Sequence, residues 1–156
     1  MNRNVPAESD TYVYDGARVR VLRSGTQTNG VFALLEATLL PGAMAAPHSH
    51  AHEEETPYVL EGTLCVETQG RTIALSPGET ATLPRNVPHR LGNTSTGVTR
   101  ILLLATPAGF DEFVKEIGQR LDDPAAPAAP MTEARIAQLD EAASRYGITV
   151  VAEAEL

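Results

Sequence analysis

The residues with the clearest chemical potential are histidines and glutamates near the middle of the chain. Three of the four histidines, His48, His50 and His52, fall within five residues, and glutamates at 53–55 follow directly. Positions i and i+2 of a strand point to the same side, so His48 and His50 can present two imidazoles to one point. A glutamate and the distant His89 would complete a set of nitrogen and oxygen ligands for a first-row divalent metal. A solvated acidic loop is the competing interpretation.

The segments around these residues have the pattern of β-strands. Residues 17–23 (ARVRVLR) alternate in polarity, and residues 30–40 form a longer β-capable run that ends at Pro41-Gly42. Short apolar runs separated by glycine and proline are typical of a sandwich or barrel, so we predict an all-β domain. Further strands are predicted at residues 56–60, 63–68, 71–75, 79–83 and 98–105.

The last third of the chain changes to a helical pattern. Apolar residues at positions 110, 113, 114, 117 and 121 form one stripe, which predicts an amphipathic helix from Phe110 to Leu121. Three prolines in residues 122–130 predict a semi-extended linker. A second helix is predicted from an N-cap at Thr132 to Tyr146, followed by a short strand over residues 148–152.

The length and the charge of the chain limit the classes of protein to which it can belong. A chain of 156 residues has the size of one domain, and its formal net charge is −8. With no basic stripe, nucleic acids and anionic membranes are poor partners. We find no apolar run that could span a membrane and no apolar signal-peptide core in the first ten residues. The single cysteine, Cys65, cannot form an internal disulfide, so we expect a cytoplasmic protein.

Two spaced motifs resemble those of the cupin superfamily. The first motif, G-x5-H-x-H-x4-E-x6-G, matches GAMAAPHSHAHEEETPYVLEG, and the second, G-x5-P-x-G-x2-H-x3-N, matches GETATLPRNVPHRLGN. Asn86 replaces the inner glycine of the second motif, where a left-handed turn is needed, and asparagine tolerates that turn better than other non-glycine residues. The matching residues are Gly42, His48, His50, Glu55 and Gly62, followed by Gly78, Pro84, His89 and Asn93.

The resemblance implies a small double-stranded β-helix barrel, of the jelly-roll type, with two C-terminal helices. It also implies one divalent transition metal (Fe, Mn, Ni, Co, Cu or Zn) inside the barrel. The barrel would cover residues 17–106, with an N-terminal arm at 1–16 and a helical extension at 107–156. The implied metal ligands are His48, His50, Glu55 and His89.

The other members of the acidic run, and His52, are expected to lie outside the ligand set. Glu54 fits a shorter form of the first motif, but Gly62 is then one residue too far away. We expect Glu53 and Glu54 to be solvated or to lie just outside the ligands. His52 continues the i, i+2 pattern, and we expect it at the pocket mouth or behind the ligands rather than on the metal.

The sequence after the barrel is similar to one group of cupins. Residues 107–118 (PAGFDEFVKEIG) resemble single-domain cupins related to quercetin 2,3-dioxygenases. That resemblance implies O2-dependent cleavage of a flavonol-like or other enolic or aromatic small molecule, with Glu55 as ligand and catalytic base. The alternatives are a redox-neutral isomerase or cyclase of a small ketone or polyketide-like intermediate, and a non-catalytic small-molecule-binding cupin. We also expect a homodimer, and the helix from Phe110 is either a lid or packed outside the barrel.

Three further residues are expected to have structural roles. We predict that Glu36 faces outward from its apolar strand, that Tyr58 packs against neighbours, and that Cys65 is an unreactive strand residue.

Overall fold

The structure, a computed structural model, describes residues 11–14, 16–121 and 132–156. The two helices are α1 (Phe110–Ile117) and α2 (Glu133–Arg145). No helix in these described ranges is both long enough and apolar enough to cross a membrane. The strands are β1 (Thr11–Tyr14), β2 (Ala17–Arg23), β3 (Ala33–Leu39), β4 (His48–His50), β5 (Glu54–Glu61), β6 (Leu64–Thr68), β7 (Arg71–Leu75), β8 (His89–Gly92), β9 (Thr99–Thr106), β10 (Gln119–Arg120) and β11 (Ile148–Val150).

These strands form two antiparallel sheets. The first sheet has the order β10-β1-β2-β3-β9-β5, and the second has the order β11-β4-β8-β6-β7. Strands distant in sequence pair within both sheets, as β3 does with β9 and β4 does with β8. The predicted all-β jelly-roll barrel with two C-terminal helices is therefore confirmed.

The core lies between the two sheets, where alternate residues of the central strands are buried. In β3 and β9 every second residue is buried. Leu35 pairs with Leu103 across these two strands, and Ala37 pairs with Ile101. Burying a leucine or isoleucine side chain contributes about 1.5–3 kcal/mol. The pleat and register of these strands thus decide which of their apolar side chains face the barrel interior.

Two tight turns set the positions of the strands that carry the motifs. Gly62 has φ of +77°, and a Cβ added there would lie 2.4 Å from the carbonyl oxygen of Val98, so only glycine fits. Asn86 has φ of +59°, which confirms the left-handed turn predicted for it. The backbone N–H of Asn86 donates to the carbonyl oxygen of His50 at 2.8 Å. The turn of the second motif is thereby fastened to the strand of the first.

Strand β4 is short and depends on its neighbours. On one side it pairs with β11, where Ile148 faces His50 and Val150 faces His48. On the other side it pairs with β8 through His48 and His89. The predicted C-terminal strand is confirmed over three residues, and it supports the strand that carries two of the histidines.

The first C-terminal helix is shorter than predicted. Its apolar stripe is buried as expected, but α1 ends at Ile117 and not at Leu121. Gly118 is extended, with φ of −67° and ψ of 141°, and the next two residues pair with β1. The prediction failed there because Leu121 continues the apolar pattern as a buried residue after a strand, with its N–H donating to the carbonyl oxygen of Thr11 at 2.9 Å.

The second helix begins where the sequence predicted. The Thr132 side chain accepts a hydrogen bond from the backbone N–H of Arg135 at 3.2 Å, as an N-cap does. Gly147 follows the helix with φ of +71°. Only Ala142 and Ala143 of α2 are buried. The second helix therefore packs mainly through its C-terminal half. The predicted linker at residues 122–130 lies outside the described residues.

Two predictions about strands need correction. Residues 79–83 are not a strand; Thr80 and Leu83 form only isolated bridges to Tyr58 and Glu55. Conversely, β1 lies within the segment predicted as an N-terminal arm and pairs with β2 along its whole length. An apolar run in the sequence does not show whether the segment will form a continuous ladder or only isolated bridges with its neighbour. The proposed division at residues 17 and 106 stays a prediction.

The three residues expected to have structural roles differ in outcome. Glu36 faces outward as predicted, with ion pairs to Arg20 at 3.9 Å and to Arg100 at 3.3 Å. Cys65 is buried on β6. The packing predicted for Tyr58 is wrong, because its side chain lies on the outer face of the edge strand β5 and is 43% exposed.

Candidate metal centre

The structure brings together the four residues that the motifs single out. One candidate ligand atom from each lies within 4.8 Å of the others. His50, His89 and Glu55 are buried, with 1–2% exposure, and His48 is half-buried. The members of this cluster, here called the His3Glu cluster, are His48, His50, Glu55 and His89.

Three strands from both sheets position the His3Glu cluster. His48 and His50 are two residues apart on β4, so both project into the barrel. His89 begins β8 and lies opposite His48 in the ladder. Glu55 comes from β5 in the other sheet. The cluster is therefore assembled across the barrel interior.

Backbone carbonyls orient two of the imidazole rings. The Nδ1 atom of His48 lies 2.8 Å from the carbonyl oxygen of Ala46, and that of His89 lies 3.0 Å from the carbonyl oxygen of Val87. A carbonyl can only accept, so each Nδ1 carries the proton and donates it. The Nε2 lone pair of each ring is then free for a ligand, the arrangement usual for metal-binding histidines.

The buried polar atoms of the cluster fit a divalent cation. Among the described residues, His50 Nε2, His89 Nε2 and Glu55 Oε1 have no hydrogen-bond partner. Glu55 Oε2 lies 3.6 Å from His50 Nε2 and 3.5 Å from His89 Nε2. Buried polar atoms without partners are costly, and a bound metal would satisfy the ring nitrogens and the carboxylate together. The donor set of three imidazoles and one carboxylate suits a first-row transition metal.

The electrostatics of the cluster favour neutral and anionic ligands. Burial, with the neighbouring His50 adding to it, lowers the pKa of His48 to about 4. Burial alone would raise the pKa of Glu55, but the facing His50 and His89 rings outweigh it and lower that pKa to about 2. Burial opposes charge on His50 too, yet Glu55 and Glu53 raise its pKa. The site therefore favours a neutral His48 and an ionised Glu55, the forms in which these two residues bind a metal.

A cavity of about 80 Å³ adjoins the His3Glu cluster inside the barrel. His48, Glu55 and Tyr14 are the lining residues with polar groups. The other lining residues are apolar, and four of them are alanines. The cavity is the space that a small substrate would occupy beside the cluster. The alanines that leave this space are Ala17, Ala37, Ala43 and Ala45.

The neighbouring acidic residues and His52 do not join the cluster. Glu54 is half-buried and alternates with Glu55 along β5, so it faces the opposite side of the sheet. Glu53 is only 3% exposed, so solvation is ruled out for it, and its carboxylate contacts His50. His52 is exposed, and its ring lies against Gly147. The sequence alone could not assign Glu53, because nothing in a run of three glutamates shows that the first one is buried in the turn before β5.

Aromatic residues around the cluster were not assigned to the site by the sequence. The Phe110 ring packs edge-on against His50 with ring centroids 5.6 Å apart. Tyr14 packs against Phe110 at 6.2 Å and lines the cavity. In the sequence Phe110 belongs to the apolar stripe of the predicted helix, and Tyr14 falls in the segment predicted as an N-terminal arm. The first turn of α1 thus forms part of the wall of the site, and its role as a lid stays a prediction.

Residues 35–105 match the family described as the cupin domain. The match spans both motifs and all or most of five of the seven strands that line the cavity, namely β3, β4, β5, β8 and β9. It ends before α1, so the helical extension lies outside the matched region.

Several characterised proteins are similar to this chain. Quercetin 2,3-dioxygenase of Bacillus subtilis (strain 168) is 28% identical over 113 residues, which cover 71% of this chain and 33% of that protein. The HTH-type transcriptional regulator PuuR of Escherichia coli (strain K12) is 28% identical over 95 residues, covering 61% of this chain and 51% of the regulator. The structure of the polyketide cyclase RemF from Streptomyces resistomycificus is 27% identical, with a TM-score of 0.60, covering 68% of this chain and 79% of RemF. The chain thus spans between a third and about half the length of these two curated relatives.

Proposed function

This chain belongs to the cupin superfamily, and on that basis we propose that it is a metal-dependent dioxygenase of a compact enolic or aromatic small molecule. The observation that carries the proposal is the His3Glu cluster, whose buried and unpartnered ligand atoms lie at the wall of an apolar cavity. A purely structural metal site would have no need of a cavity beside its ligands.

The proposed ligands leave one group of this chain free for proton transfer. His48, His50, His89 and Glu55 would hold one divalent transition metal, which supplies Lewis-acid polarisation and, where redox-active, reactivity towards O2. Glu55 Oε2 is the carboxylate oxygen near the ring nitrogens, whereas Oε1 is buried without a partner. In our proposal Oε1 accepts the proton of the substrate hydroxyl, so Glu55 is both ligand and base.

The cavity selects the kind of substrate. Its walls are aliphatic and aromatic apart from three side chains, so a molecule inside it would bind through one oxygen end and bury an apolar body. A molecule with many hydroxyl groups would leave those groups without partners. The cavity favours a compact enol over a polyhydroxylated flavonol, although the quercetin 2,3-dioxygenase relative is named for a flavonol.

A second candidate function is a redox-neutral cyclase or isomerase of a small ketone or polyketide-like intermediate. The similarity to the polyketide cyclase RemF favours it, since that structure is covered over 79% of its length. The same Glu55 oxygen would then move a proton next to a polarised carbonyl, with no O2 consumed. The two candidates therefore differ in one measurable reactant. Our proposal also retains the homodimer and the cytoplasmic location expected from the sequence.

The test is O2 uptake by protein loaded in turn with Fe(II), Mn(II), Co(II) and Ni(II). Substrates would range from pentane-2,4-dione, a small enolic diketone, to quercetin. We expect uptake stoichiometric with substrate loss, and faster for the small enol. Turnover that persists without O2 would instead establish the redox-neutral candidate. Tight binding with no turnover under either condition would identify a binding protein and overturn both enzymatic candidates.

Two variants make the test specific to the site. Glu55→Gln removes the proposed base and one charged ligand, so turnover should fall by more than about 100-fold. Glu54→Gln is the matched control, because Glu54 is adjacent in sequence but faces the other side of the sheet. Equal activity in both variants would contradict the role proposed for Glu55.

A further inference from the structure

Glu53 is a buried acidic residue that the proposed reaction does not use. Its side chain is 3% exposed, and it lies in the turn between β4 and β5. Carboxylates are seldom buried without a partner, because desolvation of the charge is costly. The side-chain partner of Glu53 is His50, whose Nδ1 lies 3.2 Å from Glu53 Oε1.

This contact makes His50 different from the other two histidines of the His3Glu cluster. His48 and His89 direct their Nδ1 atoms to the backbone carbonyls of Ala46 and Val87. His50 instead has a carboxylate on its Nδ1 side, while its Nε2 faces the cluster with no hydrogen-bond partner. A carboxylate fixes the ring tautomer as a carbonyl does and also makes the imidazole a stronger donor to a metal.

The start of α1 holds this pair in place. A Cβ added at Gly109 would lie 3.6 Å from Glu53 Oε2, so this oxygen lies next to the residue before the helix. The Phe110 ring packs edge-on against His50 at 5.6 Å. Both the carboxylate and the imidazole are therefore in contact with the start of the C-terminal extension, and both are at most 3% exposed.

We propose that Glu53 is a positioning residue, which holds His50 with its proton on Nδ1 and its Nε2 directed at the metal. The inference rests on the proposed metal site, and it adds that the affinity of this site depends on a carboxylate that never touches the metal.

The experiment compares Glu53→Gln, Glu53→Asp and the control Glu54→Gln by competition for Co(II) with a chromophoric chelator. The glutamine keeps an acceptor oxygen but removes the charge, so we expect affinity to fall about 10- to 100-fold. Glu53→Asp should regain part of this loss, and Glu54→Gln should match wild type. The visible Co(II) absorption bands should shift in Glu53→Gln alone, which a general loss of stability would not produce.

A metal-free measurement keeps the two proposals separate. The imidazole ¹⁵N shifts of wild-type protein should show His50 protonated at Nδ1, and Glu53→Gln should show a mixture of tautomers. Wild-type protein that binds no Co(II) would overturn the metal site itself. Tight binding by wild type with equal affinity in Glu53→Gln would overturn only the role of Glu53. If the glutamine variant does not fold, an Nε2-protonated His50 in the wild-type spectrum would still refute the inference.

Discussion

The His3Glu cluster and the outer face of the first sheet arrange their ionisable groups in opposite ways. On the outer face, Glu36 lies between Arg20 and Arg100, and Arg100 also reaches Glu61 at 3.5 Å. In the described part of the chain no arginine or lysine forms an ion pair with Glu55, which faces imidazoles alone.

The outer charges form ion pairs within the fold, whereas the interior groups are arranged to bind a cation. The outer carboxylates have cationic partners and water, and such pairs contribute only about 0–1 kcal/mol. The interior groups are desolvated, and three of their atoms have no hydrogen-bond partner. The fold therefore tolerates an unfavourable interior arrangement that a bound cation would reverse.

Removing a ligand from the interior should have the largest effect. His89→Ala and His48→Ala should each weaken metal binding by at least about 100-fold, because each removes one of four ligands. Metal content after gel filtration measures this directly. His52→Ala is the matched control, since His52 is exposed and outside the cluster, and it should retain one metal per chain. Stoichiometric metal in both ligand variants would refute the site.

Acid should destabilise the metal-free protein through His48. The pKa of His48 is lowered to about 4 in the folded protein, whereas an unfolded histidine titrates near 6.5. The unfolded chain therefore binds more protons between these values, so stability falls as the pH drops below about 6.5. Urea unfolding with a chelator present should show a loss of about 2 kcal/mol from this group between pH 7 and 4.5.

The His48→Asn variant isolates that contribution. It keeps a polar side chain but cannot titrate, so it should lose less stability than wild type over the same pH range. The raised pKa of His50 acts in the opposite direction and is retained in the variant. A steeper pH dependence in His48→Asn than in wild type would show that the sign is wrong.

A change on the outer face should have the smallest effect. Glu36→Ala removes the carboxylate between Arg20 and Arg100, and we expect the free energy of unfolding to change by less than about 1 kcal/mol. High salt should reduce even this difference, because it screens exposed charges. Unfolding curves at low and high salt test it. A loss above about 2 kcal/mol, or any loss of bound metal, would remove the contrast between the two regions.

Local pattern was enough to predict much of this protein. Alternation placed β2 at 17–23 as observed, because alternate burial is a local property of a strand. The turn residues Ser76-Pro77-Gly78 placed the end of β7 at Leu75. Motif spacing also identified the four residues that converge. The sequence overestimated the length of α1, because Leu121 is buried after a short strand at a position that also fits the apolar stripe of a helix.

Other features were decided only by long-range contacts. Residues 79–83 have the composition of a strand, but they form only two isolated bridges with β5 instead of a continuous ladder. Phe110 became part of the site wall because α1 returns to the barrel. Glu53 differs from Glu54 in being buried and in contacting His50. Its position depends on the turn after β4, and its Oε2 atom lies next to Gly109.

The sequence by itself therefore determined most of the strand positions and the ligand types, because strand periodicity, turn residues and residue chemistry are local properties. The tertiary structure decided which groups lose their water and which partner each one faces. The Nδ1 atom of His50 faces the carboxylate of Glu53, whereas that of His48 faces the backbone carbonyl of Ala46, although the two histidines share a strand and a motif. Desolvation and partner choice depend on segments far apart in the chain, so no local pattern contains them.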